Sequence, residues 1–274
     1  MSKFCDLHTH TTASDGQHTP SELVKLAKER GLSVLAVTDH DTISGVDEAR
    51  RAGSALGLRV VRGVELSAKE YFNFHILGYG FRTGDTGLSR LCEKLQAGRD
   101  ERKYKIIDFL REQGVDIDLS EVEELAGGDI IARPHFAQVL VRHGYVSTNR
   151  EAFDRYLDSE EYRKKVTRFR ADARTCVEAI KDAGGKVSLA HPYQMGLTNR
   201  ALDALVGELK GWGLDAIECD YPKYTEEQRE FYLFLAEKYR LKRTGGSDFH
   251  GERVKPGIEL AKYPLELDWL LSAE

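Results

Sequence analysis

Cysteine is scarce and scattered in this 274-residue chain: Cys5, Cys92, Cys176 and Cys219 are the full complement, and no two share a CxxC spacing. That excludes a disulfide framework and a thiolate zinc site, and leaves four buried thiols as the expectation. No apolar run approaches the length of about 18 residues that a helical membrane span needs. The N-terminus, MSKFCDLH, lacks the apolar stretch and small-residue cleavage site of a secretory signal, so a cytoplasmic location with no membrane partner is expected. An excess of positive charge is missing too. The formal net charge of −5 disfavours electrostatic binding of duplex DNA while leaving room for a local basic pocket. Internal repeats and low-complexity segments are also absent. With 41% hydrophobic and 31% charged residues, the chain has the composition of a globular domain and the length of one α/β barrel carrying an insertion. None of these quantities fixes an oligomeric state.

Short strand-like and helix-like segments alternate from the start, as in a sheet or barrel built from βα units. Residues 3–8 and 33–38 are brief and apolar, like buried parallel strands. Between them, Thr19 suits an N-cap, Pro20 the first helical position and Glu22 the far side of a capping box, with Gly31 as the stop. A second helix is expected over 45–56, ending near Gly57 and capped by Asp41 or Thr42. Strands are expected at 58–66 and 71–79. From 87 to 167 the segments RDERKYKIIDFLREQG, LSEVEELAGG and ARPHFAQVLVRHG are helical and charged, which predicts an inserted helical subdomain capping the substrate. Alternation resumes with KVSLAHP, a helix near 199–211, LDAIECDYP, a helix near 225–239 and LKRTGGSDFH. Residues 1–86 and 168–274 would then form the catalytic barrel.

Side chains able to bind metal recur at the ends of these strands. His8 and His10 lie two apart after the first, so an extended backbone sends both imidazoles to one face. Asp15 follows in a loop, His40 follows strand 33–38, Glu65 ends the next strand and His75 lies in the one after. His191 closes KVSLAHP, and Asp248 and His250 close GGSDFH. In an α/β barrel the carboxyl ends of the strands share one mouth, where residues distant in sequence converge. Nitrogen and oxygen donors without thiolates suit manganese, iron or zinc better than calcium or magnesium alone. Glu65, with two oxygens, is the expected bridge between ions. Each residue also has an innocuous reading: a hydrogen-bonded strand histidine for His8 or His10, a turn for Asp15-Gly16 and for Gly245-Gly246 with Asp248, a core histidine for His75. Six strand ends would each need an unrelated reason to carry such a residue.

Taken together, DLHTHTTASDG, AVTDHDT, GVELSA, LAHP and GGSDFHG resemble the PHP (polymerase and histidinol phosphatase) superfamily, closely over the first 80 residues and again from 170 onward. The insert, with Arg133-Pro134-His135, further resembles the bacterial branch that removes the 3′-phosphate from nucleoside 3′,5′-bisphosphates, some of whose members are similar to enzymes trimming short RNA from the 5′ end. The resemblance implies a distorted (β/α)7 barrel and a metal-dependent phosphoric monoester hydrolase with two or three divalent ions, manganese first and iron or zinc as alternatives. His8, His10, Glu65 and Asp248 would hold one ion; Glu65, His75 and His191 a second; Asp15, His40 and His250 a third. Many relatives carry histidine where Asp15 stands, so the third ion would be retuned. All nine residues would act in catalysis through the ions and a hydroxide shared between them that attacks phosphorus in line.

For the substrate, Arg99 and Arg102 fall on one helical face and Arg133 and His135 at a helix start. Their forked or ring donors suit a second phosphate. His135 or a water would protonate the leaving group, whereas Lys103 and Lys105 read as solvated charges. Tyr71, Phe72 and Tyr221 could stack on a base, and none stands out from ordinary core aromatics. The expected reaction converts phosphoadenosine phosphate (pAp) to AMP and phosphate, with short single-stranded RNA as a further partner. Histidinol phosphate is the rival substrate, less suited to the charged insert, and a proofreading exonuclease would lack its polymerase. A metal-bearing scaffold would not need the complete set of nine.

Overall fold

The computed structural model describes residues 2–84, 86–126 and 131–272. Strands β1 (Lys3–Asp6), β2 (Val34–Val37), β3 (Arg59–Ser67), β4 (His75–Tyr79), β5 (Lys186–Leu189), β6 (Ala216–Asp220), β7 (Lys242–Gly245) and β8 (Tyr263–Leu265) form one sheet in the order β7-β6-β5-β4-β3-β2-β1-β8. Beyond β1 and β7 the two segments run side by side and close the ring. Leu7 N donates to Gly245 O at 3.1 Å, Asp248 N to His8 O at 2.8 Å and His10 N to Phe249 O at 2.9 Å. Seven strands therefore complete a distorted barrel at the mouth. β8 pairs antiparallel with Lys3–Cys5 of β1 at the opposite end. β4 runs antiparallel to both β3 and β5, so the chain start of β4, rather than its end, reaches the mouth.

Local sequence signals account for much of this. Helix α1 (Pro20–Glu29) has the expected reciprocal capping box between Thr19 and Glu22. Helix α2 (Val46–Leu56) ends at Gly57 in the left-handed conformation that glycine tolerates best. Two expectations need correction. Asp41 and Thr42 do not cap α2: its N-cap is Gly45 without a side-chain bond, Thr42 Oγ1 accepts instead from Ser44 N, and Asp41 is engaged elsewhere. The strand expected over 71–79 begins only at His75, because Asn73 adopts a φ of 52° in the turn before it.

Alternating residues divide the strands between two surfaces. Cys5, Leu7, Val34, Ala36, Val61, Leu77 and Tyr79 fill the barrel interior, while Leu35, Val37 and Val60 pack outward on α1 and α2. On the other side, α8 (Ala173–Asp182), α9 (Asn199–Trp212) and α10 (Glu226–Lys238) cover β4–β7. Between residues 87 and 167 the described elements are helical: α3 (Gly87–Glu112), α4 (Leu119–Ala126), α5 (Arg133–Arg142), α6 (Asn149–Ala152), a π-helical turn at Phe153–Leu157 and α7 (Glu160–Lys165). The closing glycines of LSEVEELAGG lie outside the described residues. α3 belongs to two cores. Leu88, Leu91, Cys92 and Leu95 pack with the barrel, whereas Ile106, Ile107, Phe109 and Leu110 join Val122, Phe136, Val139 and Leu140 in a separate cluster. One continuous helix thus links the helical layer to the barrel. All four cysteines are buried and free. A final helix, α11 (Asp268–Leu271), packs Leu270 beneath the barrel interior.

Candidate metal centre

The barrel mouth gathers all nine residues singled out as candidate ligands in the sequence. They form overlapping groups, each with ligand atoms within 4.8 Å of one another: His10, Asp15, His40 and His250; His8, Glu65 and His191; His8, His10 and Asp248; His40, Glu65 and His75. Glu65 lies at the centre and is fully buried. Its Oε1 is 2.8 Å from His75 Nδ1 and 2.9 Å from His191 Nε2, and its Oε2 is 2.9 Å from His40 Nδ1, 3.2 Å from His10 Nε2 and 3.3 Å from His8 Nε2. His75 joins the group because β4 is antiparallel, and His10 lies between two groups. The expected sets, which shared only Glu65, overlap further here: His10 also groups with Asp15, His40 and His250, and His40 with Glu65 and His75.

The cluster is unsatisfied as a hydrogen-bond network. His8 Nε2, His10 Nε2, His40 Nδ1, His191 Nδ1, Asp15 Oδ1 and Glu65 Oε2 are buried without a hydrogen-bond partner. Imidazole rings crowd together, with centroids 4.0 Å apart for His10 and His250 and 4.5 Å for His10 and His40. Unpaired buried polar atoms are costly, and lone pairs converging on shared space are what a cation would satisfy. The donor set of imidazoles and carboxylates fits divalent transition metals.

Electrostatics point the same way. Burial alone would raise the pKa of Glu65, but His40, His75 and His8 hold it well below the ordinary carboxylate range. Burial likewise opposes ionisation of Asp248 and Asp15, yet Lys255 and His250 depress the first and His250 and His40 the second. Burial pulls His8 down, but Glu65 and Glu218 more than offset it and its pKa rises. His75 is pushed down to about 4 by burial, with His40 and His191 adding to the effect. The mouth thus keeps Glu65, Asp15 and Asp248 anionic, and it favours the charged form of His8 and the neutral form of His75.

A surrounding layer orients the ligands. His8 Nδ1 donates to Glu218 Oε1 at 3.2 Å, and His191 N donates to Glu218 Oε2 at 2.7 Å. His250 Nδ1 donates to the Asp248 carbonyl at 2.9 Å, leaving Nε2 toward Asp15 Oδ1 at 3.3 Å. The hydroxyl of Tyr221 donates to Asp248 Oδ2 at 3.1 Å, and Lys255 Nζ grips the same oxygen. Asp39 accepts from Thr11 N, Thr11 Oγ1 and Ser14 Oγ, fixing the loop that carries Asp15. Such partners set tautomer and ring orientation. Three non-glycine residues here adopt positive φ, Asp41 at 56°, His191 at 21° and Asp248 at 55°, so backbone strain gathers at the mouth. Gly246 is required for space: a Cβ there would lie 2.2 Å from the Cβ of His8.

A cavity of about 350 Å³ opens on the cluster, lined on the helical side by Arg99, Arg102, Arg133 and Arg168 and on the other by Lys255. It adjoins a second compartment that shares Asn73, His75, Arg102, Arg133 and Arg168 and adds Arg163 and Arg170. The expected joint grip of Arg99 and Arg102 takes a different form. Arg99 Nε donates to Asp41 Oδ2 at 2.6 Å, whereas Arg102 Nε has no partner. Arg133 Nη1 donates to Leu157 O at 3.2 Å and lies 3.3 Å from Asp158 Oδ1, and its guanidinium covers Phe72. His135 does not line this cavity. It is buried beside a separate pocket, accepting from Ala132 N through Nδ1 at 3.2 Å, and so occupies the α5 N-terminus that was expected to meet an anion. Phe72 is covered by Arg133 and Arg163, and the buried ring of Tyr221 is packed by Lys255, Tyr193 and Tyr224, so neither offers a free face for a base.

Glu218, Arg168 and Lys255 were not anticipated. Glu218, in IECD of β6, obeys the same strand-end rule and was within reach of it. Arg168 and Lys255 sit in irregular segments with no motif, and only the folded chain brings them to the cavity.

Comparison with known proteins agrees with this architecture. A family model described as PHP domain matches residues 6–179, a span that ends before His191, Asp248 and His250. A Haemophilus influenzae protein named 5′-3′ exoribonuclease is 37% identical over 91% of each chain. An Eggerthella lenta phosphoribosyl 1,2-cyclic phosphate 1,2-diphosphodiesterase is 34% identical over 90% of this chain and 94% of its own. A Chromobacterium violaceum 3′,5′-nucleoside bisphosphate phosphatase is 30% identical over 89% of this chain and 86% of its own. Among solved structures, a Bifidobacterium adolescentis protein provisionally described as a metal-dependent phosphoesterase superposes with a TM-score of 0.86 at 31% identity, covering 98% of this chain and 96% of that one.

Proposed function

Because this chain belongs to the PHP domain family and is a metal-dependent phosphoesterase, we propose that it removes the 3′-phosphate from nucleoside 3′,5′-bisphosphates and also trims short RNA from the 5′ end. The observation that carries this reading is the continuity of the His and carboxylate cluster with an arginine-lined wall, which suits a substrate bearing one phosphate at the cluster and another beside Arg102 and Arg133. A simple monophosphate would leave that second wall uncompensated.

His8, His10, Glu65 and Asp248 would hold one ion, Glu65, His75 and His191 a second, and Asp15, His40 and His250 a third, with manganese first among the candidate metals. Bound divalent ions supply Lewis-acid charge to a phosphoryl group and lower the pKa of water. The chain's own residues bind and orient. Glu218 and the Asp248 carbonyl fix the tautomers of His8 and His250. Arg99, Arg102, Arg133 and Arg168 present donors to phosphate oxygens, and Lys255 adds charge from the opposite wall. His135 lies outside the lining of the cavity, so the proton for the leaving group comes from solvent in this reading.

Trimming RNA would use the same cavity with the scissile phosphodiester at the cluster, and the relative named 5′-3′ exoribonuclease supports that second activity. Purified protein with manganese should release inorganic phosphate from adenosine 3′,5′-bisphosphate faster than from histidinol phosphate. The reverse order would overturn the substrate assignment.

A further inference from the structure

The chain enters the helical layer along α3 and returns through residues 166–172, and an arginine from each passage meets one buried carboxylate. Arg99 Nε donates to Asp41 Oδ2 at 2.6 Å, and Arg168 Nη1 donates to the same oxygen at 3.3 Å. Ser67 completes the junction. Its N–H donates to Asp41 Oδ1 at 2.7 Å and its hydroxyl to Oδ2 at 2.9 Å, while that hydroxyl accepts from Arg99 Nη2 at 3.2 Å and Arg168 Nη2 at 2.8 Å. Asp41 is fully buried and holds a left-handed backbone conformation, which persists only where surrounding contacts impose it.

The charges at this junction do not balance. Arg99 and Arg168 share one carboxylate, and neighbouring Arg102 has an Nε without a partner. All three arginines line the cavity over the metal cluster. Burial lowers the pKa of Arg168, with repulsion from Arg99 adding to it, and pushes Arg102 down to about 10. Held by Asp41 and Ser67, the guanidiniums of Arg99 and Arg168 are fixed at the cavity wall, and an anionic ligand is what such an arrangement fits.

We propose that Asp41, together with Ser67, is a positioning residue that ties both roots of the helical layer to the barrel mouth and aims Arg99 and Arg168 at the second anionic group of the substrate. Naming that group as the second phosphate rests on the bisphosphate reading above. The clamp itself rests only on the geometry of Asp41, Ser67 and the two arginines. Asp41 touches neither the cluster's ligand atoms nor, in this arrangement, the reacting phosphate. Its side chain accepts hydrogen bonds from Ser67 and the two guanidiniums.

Asp41→Asn keeps the side-chain shape and removes the charge. In manganese-loaded protein, KM for adenosine 3′,5′-bisphosphate should rise roughly tenfold or more, as expected for weakened charge-assisted bonds. Bound metal and kcat should stay within about twofold, and kcat/KM for adenosine 3′-monophosphate, which lacks the second phosphate, should change little. Amide exchange should quicken over residues 98–104 and 166–171. Ser67→Ala should act in the same direction more weakly, and serves if the asparagine variant fails to fold. Unchanged exchange, equal losses on both substrates, or loss of bound metal would overturn the clamp. If wild-type protein shows no preference for the bisphosphate, the substrate reading fails by itself, and the exchange measurement alone decides whether Asp41 secures the two roots.

Discussion

Replacing Glu218 by glutamine separates the orientation of the metal cluster from its composition. Glu218 accepts two hydrogen bonds, from His191 N at 2.7 Å and from His8 Nδ1 at 3.2 Å. A glutamine of the same shape has one oxygen and one NH2 group. The backbone N–H of His191 cannot become an acceptor, so the amide oxygen must stay there and the NH2 group must face His8 Nδ1. His8 then has to accept through Nδ1, which moves its proton to Nε2, the atom that points at Glu65 Oε2 and Asp248 Oδ1. The opposite amide orientation leaves the buried His191 donor facing another donor, at a cost of about 1–3 kcal/mol. Either route disables one ligand or strains another. At about 1.4 kcal/mol per decade this corresponds to a roughly 10- to 100-fold loss of metal affinity, the range typical when an outer partner of a ligating histidine is lost. Competition with a chelator, read by metal content, measures the loss, and phosphatase activity should return at saturating manganese. In the presence of EDTA the variant should melt lower than wild type, since the amide no longer compensates buried His8, whose pKa Glu218 helps to raise. Wild-type metal affinity in Glu218→Gln, or lost activity that excess metal fails to restore, would refute this account of the tautomer.

Three other perturbations probe different parts of the site. Arg133→Ala should raise KM for adenosine 3′,5′-bisphosphate at least about fivefold more than for a simple monophosphate, and equal effects in steady-state kinetics would remove Arg133 from the second-phosphate wall. Glu65→Ala should lower activity by at least about a thousandfold and reduce the metal bound per chain, as counted by elemental analysis, because Glu65 is the carboxylate that His8, His10, His40, His75 and His191 share; a fully loaded, active variant would contradict its central place. Gly246→Ala would put a Cβ 2.2 Å from the Cβ of His8. Since that contact is with the base of a side chain and with backbone, the strand must shift, and both melting temperature and metal content should fall; an unchanged variant would show that the mouth tolerates displacement.

The chain's local grammar determined a good deal. Alternation of short apolar strands and capped helices specified an α/β barrel, because burial on both faces and the Thr19–Glu22 capping box are properties of neighbouring residues. His8, His10, His40, Glu65, His191, Asp248 and His250 could be singled out because a strand end in a barrel points to the mouth whatever the sequence between strands. Tertiary structure decided what depends on which strands and loops become neighbours. The reversed direction of β4 brings His75 to the mouth from its chain start, and the sheet order brings Glu218 to His8 across 210 positions. Asp41 looked like a helix cap because its local sequence fits one. The fold instead surrounds it with Ser67, Arg99 and Arg168, whose combined charge and donors outweigh a single capping bond. His135, placed by sequence near a phosphate, turns inward to accept from Ala132 N, because a buried helix N-terminus must satisfy its own donors first. Sequence therefore determined which chemistry the mouth can hold. Long-range packing decided how each ligand is aimed and which arginines remain available to a substrate.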